Sequence, residues 1–357
     1  MLALCSLLVG CSGGSGSGSD ATGAPPAEPF AEVDRLANAT FLQQGIPGMA
    51  VVVYDRNDRK VFEKVYGDFA PDRRVAVASA SKMMAGLALF RLVDQGYLSL
   101  DSTTAAVLGW SGPQGAITLR HLLSFTSGLE PDAACTSMAS LSLAECVDRI
   151  ATSTPIAVPG TRFDYGSTHL HVAARMAEVV TGSTWNALFV QQVLHPLGLP
   201  EAVQFYSYPR QAIGTTNPLV AGGMRATMDE YGRMLAVVFH RGTASGQYFV
   251  SPALFDAQAR EPYPDAVVGN SPMSALAYDF RYGLVAWLEC ATPATGCSSI
   301  SSPGAFGWTP WVDREGGYYA IIGMEIADAR DGVVNFSVRL AQDLKPAIRQ
   351  ALAAGGG

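Results

Sequence analysis

The stretch AVASASKMMAGLALFRLVDQGYL, residues 76–98, holds one of only four lysines in a chain of 357 residues that otherwise takes its positive charge from arginine. Lys82 follows Ser79 by three positions inside an otherwise apolar run with helical spacing. In a helix beginning near Ser79 the two residues share a face, which brings a hydroxyl and an amine within hydrogen-bond reach. An ammonium packed among Met83, Met84 and Leu87 loses solvation, so its pKa falls. A neutral amine beside a serine accepts the hydroxyl proton, and the helix N-terminus adds partial positive charge where an oxyanion forms. The S-x-x-K pattern occurs once in the chain. Taken alone it is a weak pattern that better describes a capping serine and a snorkelling lysine.

Outward from this helix the pattern changes on both sides. Upstream, PGMAVVVYDRNDRKVFEKVYGDF reads as two β-branched runs around the polar turn Asp55–Arg59, hence a hairpin. The spacing predicts a helix ending at Gly96 and another, LHVAARMAEVVTG, ending at Gly182. Downstream come a helix MDEYGRMLAVVFHRG, strand-like YGLVAWLEC, GWTPWVDR and GYYAIIGMEI, and a final helix NFSVRLAQDLKPAIRQAL. Strands near both ends with helices between them predict an α/β sheet built from both termini and carrying a helical insertion. No internal repeat is present.

The length suits one large domain or two joined ones, and 48% hydrophobic content is ample for a core. A net charge of −7 offers no basic stripe for phosphates, so nucleic acid is a poor partner. The N-terminus, with Leu8-Val9-Gly10-Cys11 before a Gly/Ser/Pro tract, resembles a bacterial lipobox. The expectation is a signal peptide over 1–10, lipidation of Cys11, and a flexible tether over 11–29, leaving an exported protein lipid-anchored to a bacterial membrane. An ordinary signal peptide cut nearby is the alternative. Cys135, Cys146, Cys290 and Cys297 then remain, an even number in an oxidising compartment. Of three connectivities, Cys135–Cys146 and Cys290–Cys297 are favoured because each closes a short loop; four buried free thiols are the alternative. No Cys/His spacing of a zinc site appears.

Five segments in this order resemble the serine β-lactamase and penicillin-binding protein superfamily, and most closely its class C β-lactamase, D,D-peptidase and family VIII carboxylesterase branch. VASASKMMAGLALFRLVDQGYLSLDS puts Ser79 and Lys82 on the S-x-x-K positions. TLRHLLSFTSGL resembles the T-x-R-x-L-L-x-H-T-S-G-L element, with Phe125 where a His is common. PGTRFDYGSTHLHVAARMAEVVTG resembles P-G-x-x-F-x-Y-S-N and puts Tyr165 on the catalytic tyrosine. GGMRATMDEYGRML and PGAFGWTPWVDREGGYYAIIG resemble the later helix and the active-site edge strand. The similarity spans about residues 30–345.

The resemblance implies a β-lactamase/transpeptidase-like fold: an antiparallel sheet flanked by N- and C-terminal helices, from residues 30–78 and 213–350, with a mainly helical domain over 79–212. It implies that Ser79 attacks a carbonyl and is acylated, that Lys82 and Tyr165 share the general base and acid work, and that the N–H groups of Ser79 and Ala305 form an oxyanion hole. No metal or cofactor is implied, the partner is a small ester or amide, and no obligate protein partner is evident. As a base, Tyr165 needs a neighbour that favours its phenolate, because tyrosine titrates at about 10.

Two positions depart from the pattern. Ser167 stands where Asn is usual, and is expected to bond Lys82 or a substrate amide. The third motif reads Ser302-Pro303-Gly304 where Lys-Thr-Gly, or His- or Trp-x-Gly in esterases, is usual. Loss of that lysine argues against firm recognition of penicillins or D-Ala-D-Ala ends, with Arg281 or Arg314 as the candidates to replace its charge. Pro303 fits an edge strand lining a cleft. Phe306, Trp308 and Trp311 either line an apolar acyl pocket or enter the core. The expected activity is therefore of carboxylesterase type; a D,D-carboxypeptidase or β-lactamase, and a non-catalytic penicillin-recognising protein, are the alternatives.

Rival constellations are weaker. The one G-x-S-x-G match, Gly10–Gly14, falls in the tether. His169 and His171 at i and i+2 point apart on a helix and have no third ligand, and His121 is expected to bond within its own helix.

Overall fold

The computed structural model describes residues 28–207, 214–326 and 333–355. The lipobox, Cys11 and the tether up to residue 27 lie outside the described residues. The chain runs through α1 (Ala31–Gln44), β1 (Gly48–Asp55), β2 (Lys60–Gly67), β3 (Val75–Ala76), α2 (Ser81–Asp94), α3 (Thr104–Leu108), α4 (Leu119–Leu123) and α5 (Leu143–Ala151). It continues with β4 (Arg162–Asp164), α6 (Thr168–Thr181), α7 (Trp185–Phe189), β5 (Arg225–Ala226), α8 (Met228–Phe239), β6 (Thr243–Ala244), β7 (Gln247–Tyr248), α9 (Pro252–Gln258) and β8 (Val267–Asn270). Last come β9 (Arg281–Tyr282), β10 (Trp287–Leu288), β11 (Ser299–Ser301), β12 (Thr309–Asp313), β13 (Tyr318–Gly323) and α10 (Val333–Gly355).

The main sheet has seven strands in the order β2-β1-β13-β12-β11-β10-β9, and every neighbouring pair is antiparallel. It is a β-lactamase/transpeptidase-like sheet in which the first hairpin pairs with the last strand, Val52 opposite Ile321. Side chains alternate along β1 because successive residues of a strand face opposite sides. Met49, Val51 and Val53 join Val33, Ala37, Leu340, Leu344 and Ile348 of α1 and α10 on one face. Ala50, Val52 and Tyr54 face the larger core, which holds α2, α6 and α8. Both faces are covered, so β1 is buried along its whole length.

Between the sheet's two parts lies the helical segment, centred on α2. Ser81 to Phe90 are all buried, as expected of a helix enclosed on every side. Local chemistry fixes the surrounding ends: Ser142 and Glu145 form a capping box at α5, and Thr227 and Glu230 another at α8. Gly182 closes α6 in the left-handed region at φ 70°.

Two strand expectations differ from the structure. The run YGLVAWLEC is not one strand: Gly283 N–H bonds the Ala286 carbonyl, turning the chain between β9 and β10. β11 is not an edge strand, since β10 and β12 pair on either side of it. Pro303 is tolerated because it lies past Ser301, the last residue of β11, beyond the two-residue β10.

Candidate active site

Ser79 sits in a tight 3-10 turn, Ala78–Ala80, immediately before α2. Ala78 has φ 48°, a left-handed conformation that costs energy for a residue with a Cβ and persists only where surroundings enforce it. Here they do. Ser81 Oγ donates to the Ala78 carbonyl at 2.6 Å and accepts the Met224 N–H at 3.0 Å. Val77 N–H bonds the Met224 carbonyl at 3.1 Å, and the Tyr231 hydroxyl bonds that of Ala80 at 2.9 Å. The segment around Met224, continued by the β3–β5 pairing, thus forms a platform under the Ser79 turn.

Lys82 is 3% exposed, with Nζ 3.0 Å from Ser79 Oγ and 2.8 Å from the Ala221 carbonyl. Burial lowers its pKa to about 7, although the Asp132 carboxylate acts in the opposite direction. A neutral amine satisfies both contacts: it donates to Ala221 and offers its lone pair to the Ser79 hydroxyl proton. Its Nζ also stands 4.6 Å from the centroid of the Tyr165 ring.

Tyr165 stacks on Trp287 at 5.2 Å and meets Phe125 edge-on at 5.4 Å. Burial holds its phenol well above the usual range, even though Ser79 and Trp287 act on it as hydrogen-bond partners favouring ionisation. The division of labour is therefore unequal. Lys82 is the group poised to take a proton near neutral pH, and Tyr165 the one poised to keep or deliver one.

The third motif closes the site from the sheet. A Cβ on Gly304 would stand 2.2 Å from the Val77 carbonyl, so only glycine lets this segment lie against the Val77–Ala80 turn. Ala305 follows in an exposed turn, and its N–H has no acceptor among the described residues. Ser302 is 3% exposed, and its hydroxyl donates to the Ser79 carbonyl at 3.2 Å. It braces the backbone of Ser79. Phe306 is half-buried and belongs to neither apolar core. Trp308, expected at the acyl pocket, is corrected: it is 0% exposed and packs on Tyr231 at 5.6 Å. Trp311 is buried on the opposite face with α1 and α10. Neither suspected arginine is free to supply the missing cation, because Arg281 pairs with Glu261 and Arg314 donates to the Phe239 and Val238 carbonyls.

The second motif is clasped by a loop. Ser167 makes no side-chain bond to Lys82; it precedes α6, and its N–H donates to Asp132 Oδ1 at 2.8 Å. Phe125, at φ 58°, stacks between His169 at 4.9 Å and Tyr282 at 4.8 Å. His169 Nε2 lies 2.8 Å from the Asp164 carbonyl, which can only accept, so Nδ1 takes the Ser127 hydroxyl proton. Burial lowers the pKa of both His169 and His171 to about 4, and the two rings serve separate surroundings. His121 forms a capping box with Thr118. Among the described residues no three His, Cys, Asp or Glu side chains gather as a metal site, and no helix is long and apolar enough to cross a membrane. Cys135 is bonded to Cys146 and Cys290 to Cys297.

The sequence model of the beta-lactamase family matches residues 28–339. The chain belongs to the beta-lactamase family. Among solved structures, that of a putative beta-lactamase from Bacteroides dorei is 30% identical, covers 89% of this chain and 98% of its own, and superposes with a TM-score of 0.78. EstCE1, a hydrolase with promiscuous acyltransferase activity, shares the fold at 20% identity and a TM-score of 0.68, over 91% of this chain and 98% of its own. Among curated relatives, the D-alanyl-D-alanine-carboxypeptidase/endopeptidase AmpH of Escherichia coli is 30% identical over 191 residues, 47% of this chain and 48% of AmpH. Penicillin-binding protein 4 of Amycolatopsis lactamdurans is 30% identical over 190 residues, 49% of each chain. This chain spans about half the length of the curated relatives it matches.

Four residues that shape this site are not singled out by the motifs' chemistry: Ser81, Ala221, Met224 and Asp132. Ser81 carried a signal, as a small polar residue on the apolar face of a helix. The other three act through contacts that arise only on chain closure.

Proposed function

We propose that the protein is a serine hydrolase of carboxylesterase type, cleaving esters or amides that carry no carboxylate through an acyl-enzyme on Ser79. The observation that carries this reading is the buried amine of Lys82, with a pKa of about 7, 3.0 Å from Ser79 Oγ. In acylation the Ser79 proton passes to Lys82 as Oγ attacks the substrate carbonyl. The negative oxygen is received by the N–H groups of Ser79 and Ala305, and the leaving oxygen or nitrogen takes the proton back from Lys82 through the Tyr165 hydroxyl. Water then attacks the acyl carbonyl, with the same two groups moving its proton, and Ser79 is released.

The preference for substrates without a carboxylate rests on the third motif, where Ser302 stands in place of the family's usual lysine and its hydroxyl is already engaged by the Ser79 carbonyl. The partial similarity to AmpH favours a second reading, D,D-carboxypeptidase activity. A panel of neutral p-nitrophenyl esters, a D-alanyl-D-alanine peptide and a chromogenic cephalosporin separates the two. The first reading expects the highest kcat/KM on the esters; faster cleavage of the peptide or the cephalosporin would reverse the choice.

A further inference from the structure

The loop from Pro131 to Ala133 is clamped to the second motif. The Pro131 carbonyl accepts the Thr168 N–H at 2.9 Å, Ala133 N–H bonds Thr168 Oγ1 at 2.9 Å, and a Cβ on Gly166 would meet the Pro131 carbonyl at 2.2 Å. Asp132 accepts the Ser167 N–H from this position, two residues from Tyr165. Its side chain is exposed, and among the described residues no cation pairs with it. Cys135, bonded to Cys146, anchors the loop three residues further on. The groups around Lys82 are Ser79, the Ala221 carbonyl, the Tyr165 ring and, at longer range, His169 and Asp132. His169 is neutral above its pKa of about 4, and of the two carboxylates that act on it Asp164 is paired with Arg162, so Asp132 is the one with no cation partner among the described residues.

We propose that Asp132 is a specificity-determining residue that selects substrates carrying an ammonium group and disfavours those carrying a carboxylate. This rests on the hydrolase reading above. The physical reason is simple: an unpaired carboxylate rigidly held at the rim attracts a substrate cation and repels an anion, and neither Ser302 nor a nearby arginine offsets it. The side chain has a free oxygen for the ammonium once Oδ1 is committed to Ser167.

The test compares three p-nitrophenyl esters of equal acyl length, ending in trimethylammonium, tert-butyl or carboxylate. At low ionic strength the wild-type kcat/KM should fall in that order, by about threefold to tenfold per step for one partly solvated charge. Raising the salt to about 0.5 M should compress the ratios, because exposed charges are screened. Asp132→Asn keeps an oxygen for the Ser167 N–H and should bring the ammonium-to-tert-butyl ratio close to one. It should also move the acidic limb of the pH profile to lower pH, since Asp132 raises the Lys82 pKa. Equal rates on all three esters, or ratios that persist in Asp132→Asn, would overturn the inference and leave the hydrolase reading intact. No hydrolysis of any ester by folded wild-type protein would overturn both.

Discussion

Lys82 pays for its reactivity in stability. Its folded-state pKa of about 7 lies below the ordinary lysine value of 10.5, so between these pH values the unfolded chain binds more protons than the folded one. The contribution of this group to stability therefore rises with pH from 7 to 10.5, and at neutral pH its burial is a cost. Lys82→Met, similar in volume and uncharged, should abolish turnover and raise the melting temperature, by on the order of 1 kcal/mol or more in stability. A lowered melting temperature would show that the bonds to Ser79 and Ala221 outweigh desolvation. The same pKa sets a kinetic expectation: kcat/KM on a neutral ester should rise through a limb near pH 7 as the ammonium loses its proton. Lys82→Arg should lose at least ~10²-fold in kcat without recovering at higher pH, since guanidinium stays protonated. A wild-type rate in Lys82→Arg would assign the base elsewhere. Ser79, Lys82 and Tyr165 were legible because each carries chemistry within a short motif. Trp308 was not, because the side of the sheet on which a residue past a strand's end emerges depends on the turn at Gly304–Gly307, where Gly307 takes φ 92°.

At the scale of elements, the loops do more positioning than the helices. Residues 130–133 reach the active site between two fixed points, the Thr168 contacts and the Cys135–Cys146 bond. Cys135→Ser with Cys146→Ser should cost about 2–3 kcal/mol through the freed loop entropy of the unfolded chain, measured by thermal or denaturant unfolding. Loss of this bond should also weaken discrimination between charged and neutral esters, because the loop that carries Asp132 relaxes. An unchanged stability and unchanged ester ratios would mean that the Thr168 contacts alone fix the loop. The α2 and α6 helices and the first hairpin were readable from periodicity and glycine caps. The β9–β10 hairpin was not, because its turn, Gly283–Ala286, lacks a strong turn dipeptide and places Val285 at φ 54° by tertiary packing. Gly283 was the available clue: a Cβ there would stand 1.9 Å from the Gln258 carbonyl.

Across the whole molecule the site exists because the sheet closes between chain ends. The β1–β13 pairing joins residues near position 52 to those near 321, and this brings Ser302–Ala305 against the Val77–Ala80 turn. Neither half has a complete site: the helical segment gives Ser79, Lys82 and Tyr165, while Ala221, Met224 and the third motif come from the segment that returns to the sheet. Strands at both ends were visible in the sequence; the insertion of β13 between β1 and β12 was not, since strand order is set by contacts distant in the chain. The central claim is that this assembly makes Ser79 a nucleophile. Intact-mass and peptide mass spectrometry after treatment with a fluorescent alkyl phosphonate tests it most directly. One adduct on the peptide containing Ser79 in the wild type, and none in a folded Ser79→Ala variant, is the predicted result; labelling that persists in Ser79→Ala, or maps to another residue, would contradict it.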